Sequence, residues 1–322
     1  MIRPSRPANR PAFVSFPVIF AVVLTVASLC LAKQFGAWNP PINAESITGT
    51  SSEFNTAFSD GCPIQSPDGL SLFMASNRPG GLGGLDIWVA RRAHKNDPWG
   101  APQNLGAPVN SASDDFCPSP TEGNRLFFVS ARPGGFGAGD IYVIRLRDDE
   151  WTEPQNLGCN INSAGGEASP SYFEDEIGRL ILYFSSARAG GFAQDVGPPD
   201  SDIYFSVDFG PAQLAPGLNT ETDDSRPNVR RDGLEIVFDS TRPGTLGGPD
   251  IWTASRESTD QGWQPPIHLD GPISSEASDT RASLSANGRT MFFGSTRVDS
   301  EIGSNGMPSQ HIYVTTRKKR GR

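Results

Sequence analysis

The chain has 322 residues and a formal net charge of −9, with 35 glycines and 28 prolines. An acidic balance of this size leaves no basic groove, so a nucleic-acid partner is not expected. Glycine and proline gather at regular intervals rather than in low-complexity tracts, which points to turns between short strands and not to disorder.

Residues 1–37 stand apart from the rest. Arg3, Arg6 and Arg10 precede an uncharged stretch, AFVSFPVIFAVVLTVASLCLA, residues 12–32. At about 1.5 Å per residue a helix of this length crosses the roughly 30 Å hydrocarbon core. It reads as an uncleaved membrane anchor, with a signal peptide cut near Ala32 as the alternative. A lipoprotein signal through Cys30 is disfavoured, because Leu29 stands where a small residue is wanted. In either case the basic flank stays cytoplasmic and the remainder is exported to the periplasmic or extracellular side.

From residue 38 onward one phrase recurs five times. Its first copy is SPDGLSLFMASNRPGGLGGLDIWVA, residues 66–90, and its second TEGNRLFFVSARPGGFGAGDIYVI, residues 121–144. Aligning the copies puts Arg78, Arg132, Arg188, Arg242 and Arg297 in one column, each two residues after a serine. A second column holds Asp86, Asp140, Asp202 and Asp250, with His311 in the fifth place, each followed by Ile and an aromatic residue. Steps of 54, 62, 48 and 61 residues separate these positions, slightly more than a typical four-stranded propeller blade.

Each unit divides into four strands. A short segment such as CPIQS (62–66) leads to Asp68-Gly69, matched by Asp232-Gly233 and Asn287-Gly288, pairs that suit a type I′ hairpin. An apolar run such as LSLFMAS or LILYFSS follows, short enough to be a strand buried on both faces. After a Gly-rich loop comes the Asp-Ile-aromatic strand, and Trp-x-x-Pro with an apolar pair marks the fourth. The last unit lacks its fourth strand, whereas WNPPINAES (38–46) resembles one without a preceding three. The expected fold is therefore an all-β, five-bladed propeller over residues 38–317, its last blade closed by residues 38–46, with a basic tail at 318–322. Closure removes the sticky edges of an open array.

The apolar strand, Ser-x-Arg, Gly-rich loop and Asp-Ile-Tyr/Trp over residues 38–317 resemble the WD40-like (PD40) repeat of the periplasmic Tol-system propeller protein and its relatives. The resemblance implies a propeller and, for most such proteins, binding or scaffolding. The familiar Tol protein has six blades and a further domain; this sequence has five units.

An acid also opens each innermost strand: Asp60, Asp115, Glu167, Asp224 and Asp279. Topology places these acids and the five arginines on one rim. The plain reading is structural, each arginine fork holding a carboxylate and a carbonyl. The sharper reading is that some of the arginines bind an anionic glycan or a peptide carboxylate. The acids of the Asp-Ile-aromatic column read as caps of the Gly-rich loops. Trp88, Tyr142, Tyr204, Trp252 and Tyr313, with Trp38, Trp99, Trp151 and Trp263, read as packing between blades. Asp239 stands out as an acid with no repeat equivalent at the end of an apolar strand.

The longest departures from the repeat, residues 189–201 and 298–310, are expected on the same face, where recognition usually sits. The acids in and next to them, Asp195, Asp200, Asp202, Asp299 and Glu301, lack the ordered spacing of a calcium loop. His94, His268 and His311 show no zinc spacing, so neither a metal nor a cofactor is expected. Cys62 and Cys117 occupy equivalent places in adjacent blades. An oxidising compartment would favour a bridge, whereas diverging strands with Cα atoms more than about 7 Å apart would forbid it.

The leading functional expectation is a monomeric, non-enzymatic module that docks a protein, peptide or cell-envelope glycan on its loop-rich face. The alternative is a glycoside hydrolase with two carboxylates drawn from Asp60, Asp115, Glu167, Asp224, Asp239 and Asp279. No Gly-x-Ser-x-Gly elbow supports a serine nucleophile.

Overall fold

The computed structural model describes residues 34–192, 200–297, 300 and 308–320. The apolar stretch 12–32 and the loop acids Asp195, Asp299 and Glu301 lie outside these residues. Among the described residues no helix is long and apolar enough to cross a membrane.

Five antiparallel sheets follow one another along the chain. Blade 1 runs from the inner strand Asp60–Gln65 through Ser71–Ser76 and Asp86–Arg91 to the outer strand Gln103–Asn104. Blade 2 begins at Asp115–Thr121, blade 3 at Glu167–Glu174, blade 4 at Asp224–Val229 and blade 5 at Asp279–Leu284. The inner strand of blade 5 packs beside that of blade 1, and the Ser283 hydroxyl donates to Pro63 O at 2.5 Å across the seam. The ring is shut.

Blade 5 takes its outer strand from the beginning of the propeller. Ile42 and Asn43 pair with Val314 and Tyr313, and Phe35–Trp38 pairs with the same strand further along, against Lys319 and Arg317. Pairing thus starts at Phe35 and ends at Lys319, three residues before and two after the limits read from the repeat. The added length has a physical basis: the Arg317 guanidinium covers both rings, 4.0 Å from Phe35 and 4.2 Å from Trp38.

The second strands are buried almost throughout, as continuous apolar runs predict. Aromatic rings fill the spaces around them; Phe184 stacks on Tyr204 and Phe293 on Tyr313, with centroids 6.1 and 5.9 Å apart. The hairpin expectation needs correction. At Asp68-Gly69, Asp232-Gly233 and Asn287-Gly288 only the glycine takes positive φ, at 73°, 71° and 66°. The Asp or Asn side chain instead accepts from the N–H two residues on, at 2.9–3.1 Å. That Asx turn keeps its own backbone in the ordinary region and widens the loop.

Blades are sewn together by a further column, of asparagines. Asn110 brackets the backbone of Ile87 in the preceding blade, receiving its N–H at 2.8 Å and donating to its carbonyl at 2.9 Å. Asn162 does the same to Ile141, Asn219 to Ile203 and Asn55 to Ile312 across the closure. In the fifth place stands Ser274, too short to bracket anything, and its buried hydroxyl has no partner. Cys62 and Cys117 are bridged, with Cα atoms 5.0 Å apart. The inner strands of blades 1 and 2 approach more closely at this level than divergent strands would allow.

Candidate functional site

The five acids that open the inner strands are built into ties. In blade 1, Asp60 Oδ2 accepts from the Thr56 N–H and hydroxyl, and Oδ1 accepts from Arg78 Nη2 at 2.5 Å. Arg78 also donates to Ser76 Oγ and to the carbonyls of Glu53 and Phe54. The same arrangement joins Arg132 to Asp115, Arg188 to Glu167, Arg242 to Asp224 and Arg297 to Asp279. Each guanidinium also lies 4.7–5.4 Å from the aromatic ring that follows Asp-Ile or its equivalent. These arginines, the sequence candidates for ligand binding, spend their donors inside the protein.

The second acid column holds the Gly-rich loops. Asp86 Oδ2 accepts from Leu82 N at 2.5 Å, Asp140 from Phe136 N at 2.7 Å, Asp202 from Phe192 N at 2.7 Å and Asp250 from Leu246 N at 2.6 Å. Each loop is pinned at the residue that it pushes outward. Leu82, Phe136, Phe192 and Leu246 are 52%, 49%, 54% and 52% exposed. One rim of the propeller therefore carries four equivalent apolar tips on stiff loops. Burial pushes the Asp202 carboxyl up to about 6, the Phe192 N–H opposing it.

The channel itself breaks the symmetry. Two residues after each acid the inner strand bulges, and the bulged residue takes a left-handed conformation: Cys62, Cys117, Ser169, Arg226 and Arg281, with φ between 47° and 56°. Bulges re-aim side chains, and all five residues line the channel. Three of the five places are closed off by the disulfide and by Ser169, whose hydroxyl lies 3.2 Å from Cys117 Sγ. Arg226 and Arg281 fill the other two. The open space at this level is about 30 Å³, bounded also by Pro63, Pro118, Pro170 and Pro227.

Asp239 lies with them. It is fully buried, accepts from Arg226 Nη1 at 3.1 Å, and receives the Arg281 backbone N–H at 2.9 and 3.0 Å. Burial pushes its carboxyl up to about 6 despite these donors. Burial, together with the neighbouring Arg226, pulls the Arg281 guanidinium down to about 9. Gln310 receives Arg281 Nη1 at 2.7 Å and donates to Thr280 Oγ1 at 2.8 Å. Above this cluster two cavities of about 400 and 190 Å³ open on the loop-tip face, and both are lined by Arg226 and Pro249.

The opposite mouth is a separate cavity of about 370 Å³ lined by Arg125, Tyr172 and Glu174. Arg125 donates to the Tyr172 hydroxyl at 3.1 Å. Asp239 stands out in the sequence, whereas its partners do not. The signal for them was the column two places after each acid, where small residues give way to arginine twice. Among the described residues no three His, Cys, Asp or Glu side chains gather as metal ligands would.

No protein-family model matches the sequence, and no curated protein matches it either. Solved structures share the fold. A GH43_12 protein retrieved from capybara gut metagenome matches at 12% identity with a TM-score of 0.55, covering 90% of this chain and 57% of its own. A thermostable family-43 glycoside hydrolase matches at 12% identity and a TM-score of 0.53, covering 84% and 92%. TolB from Acinetobacter baumannii matches at 14% identity and a TM-score of 0.44; the match covers 83% of this chain and 55% of TolB. The two glycoside hydrolase likenesses show a shared fold and nothing finer, and the blade number is that of the five sheets described above.

Proposed function

We propose that the protein is an extracytoplasmic binding propeller that docks a protein partner on the face carrying the loop tips. One observation carries this reading: four apolar side chains, Leu82, Phe136, Phe192 and Leu246, stand about half exposed at equivalent places on pinned loops. Isolated exposed apolar residues need no explanation, but a repeated set on one rigid rim suits a protein surface. Export is supported by the Cys62–Cys117 bridge, which belongs to an oxidising compartment.

Glycoside hydrolysis finds less support. That chemistry uses two carboxylates facing one bond, one protonated and one free to attack or to activate water. Here the five acids at the strand starts have both oxygens engaged by their hydroxyl, N–H and arginine partners.

Photo-crosslinking tests the docking reading. A photoreactive residue is placed at Phe136 or, on the opposite mouth, at Glu174 of the full-length chain in its native envelope. A discrete adduct from position 136 is expected, lost when Leu82, Phe192 and Leu246 are changed to Ser. Equal adducts from both faces, or persistence in the serine variant, would sink it.

A further inference from the structure

We infer that the channel mouth on the loop-tip face is a small-molecule site in which Arg226 and Arg281 take the carboxylate of a sugar acid. This goes beyond docking of a protein and does not depend on it.

Two arginines meet one buried carboxylate, Asp239, Arg226 through its guanidinium and Arg281 through its backbone N–H, so the cluster carries two cations for one anion at the half-buried channel mouth. Excess positive charge focused in a cleft attracts an anion from solution. The arginines also have donors to spare: Nη1 of Arg226 serves Asp239 and Ser225, and Nη1 of Arg281 serves Gln310 and Thr280. Nε and Nη2 of both have no partner among the described residues. Nε with Nη2 is the edge of a guanidinium that grips the two oxygens of a carboxylate.

Position agrees with this. The left-handed bulge aims both arginines into the channel instead of into their own blade, unlike the five tied arginines of the Ser-x-Arg column. Beside them the disulfide, and next to it the prolines, narrow the channel to about 30 Å³, so a ligand meets a floor. Above them the cavity of about 400 Å³ is in the range of small-molecule sites. Its wall is rich in short hydroxyls and amides, among them Ser59, Asn77, Thr280, Ser309 and Gln310, with Phe58 as its aromatic residue. Hydroxyl and amide groups around a cationic floor match a polyhydroxylated acid better than an apolar acid.

Calorimetry on the full-length chain tests the assignment, with digalacturonate as probe, galactobiose as its neutral counterpart and inorganic phosphate as the competing anion. Digalacturonate is expected to bind, and Arg281→Gln to weaken it on the order of tenfold or more. Arg226→Lys keeps the charge but loses the fork, and is expected to weaken binding less than Arg226→Gln. Unchanged unfolding midpoints show that the variants are folded; a variant that is not is replaced by Gln310→Ala, which removes the Arg281 partner and is also expected to weaken binding. Absence of binding at about 10 mM, or equal binding of galactobiose, would overturn the proposal. Tighter, arginine-dependent binding of phosphate would overturn the sugar-acid class and assign the site to phosphate.

Discussion

Glu235 of blade 4 binds Arg317 of blade 5 at 2.6 Å, and the face of that guanidinium covers Trp38 from the propeller's first strand. Arg230 meets the same Glu235 carboxylate at 2.6 Å and lies over Phe35. The two ends of the ring are therefore joined by more than strand pairing. Two arginines and one glutamate in the interior form a socket, and the rings of the closing strand cover it.

Removing that cover should loosen the last blade. Trp38→Ala is expected to cost about 2 kcal/mol, less than a fully buried tryptophan because Trp38 is only partly buried. Deleting residues 35–43 should cost more and expose the third strand of blade 5. Hydrogen exchange at Asn39 and Arg320, whose N–H groups bond across the closure to Thr316 and Gln34, reads this directly for Trp38→Ala. Unchanged protection and an unchanged urea midpoint would contradict it.

The Cys62–Cys117 bridge closes a loop of 55 residues. A loop of that length predicts about 4 kcal/mol of stabilisation from restriction of the unfolded chain. Dithiothreitol should lower the urea midpoint of the wild type but not that of Cys62→Ser/Cys117→Ser, and the two proteins should coincide once reduced. Cys159 is free and exposed, so it provides no second bridge among the described residues.

How much of this was readable beforehand varies with the kind of residue. Blade number, strand order and closure were legible because each depends on a periodic feature: apolar runs, Ser-x-Arg and Asp-Ile-aromatic repeat five times or nearly so. The arginine–acid ties were legible as pairs of columns. The bridging asparagines were present in sequence as Asn-Ser/Thr ahead of four of the five acids, but they act between blades, which one unit read alone does not reveal. The channel cluster was hardest. Arg226 and Arg281 lie in strands whose alternation would aim them elsewhere; only the bulge turns them inward, and no local pattern announces it. Asp239 was noticed because it was unlike its repeat equivalents, which is how an asymmetric site shows itself on a symmetric scaffold.

Two glycines should respond differently to the same added methyl. A Cβ on Gly137 would fall 2.4 Å from the Ser163 carbonyl oxygen, backbone of the next blade that cannot swing aside. Gly137→Ala should therefore cost about 2–3 kcal/mol through overpacking. A Cβ on Gly61 would meet Gln310 Oε1 at 2.6 Å, the far end of a side chain that can move. Gly61→Ala should cost about 1 kcal/mol or less, yet displace the glutamine that receives Arg281. Urea unfolding of the two variants orders them; equal losses would show that the seam between blades is more pliable than its geometry implies.

Asp239 supplies the pH dependence. It faces Arg226 and Arg281, and its folded value near 6 lies above the ordinary 3.8. The folded protein thus holds this proton more tightly than the unfolded chain does. Its contribution favours the folded state below about pH 4 and is lost as pH rises through 6. Over that window the stability difference between wild type and Asp239→Asn should shift by about 3 kcal/mol, the wild type gaining on the variant as the solution is acidified. Asp202 has the same direction of shift and is present in both proteins, so the subtraction removes it. Urea titrations at pH 7 and pH 4 give the difference; if it is the same at both, Asp239 titrates as an ordinary surface carboxylate does. A fold that keeps such a carboxylate ionised at neutral pH sacrifices stability at that point, as functional sites commonly do.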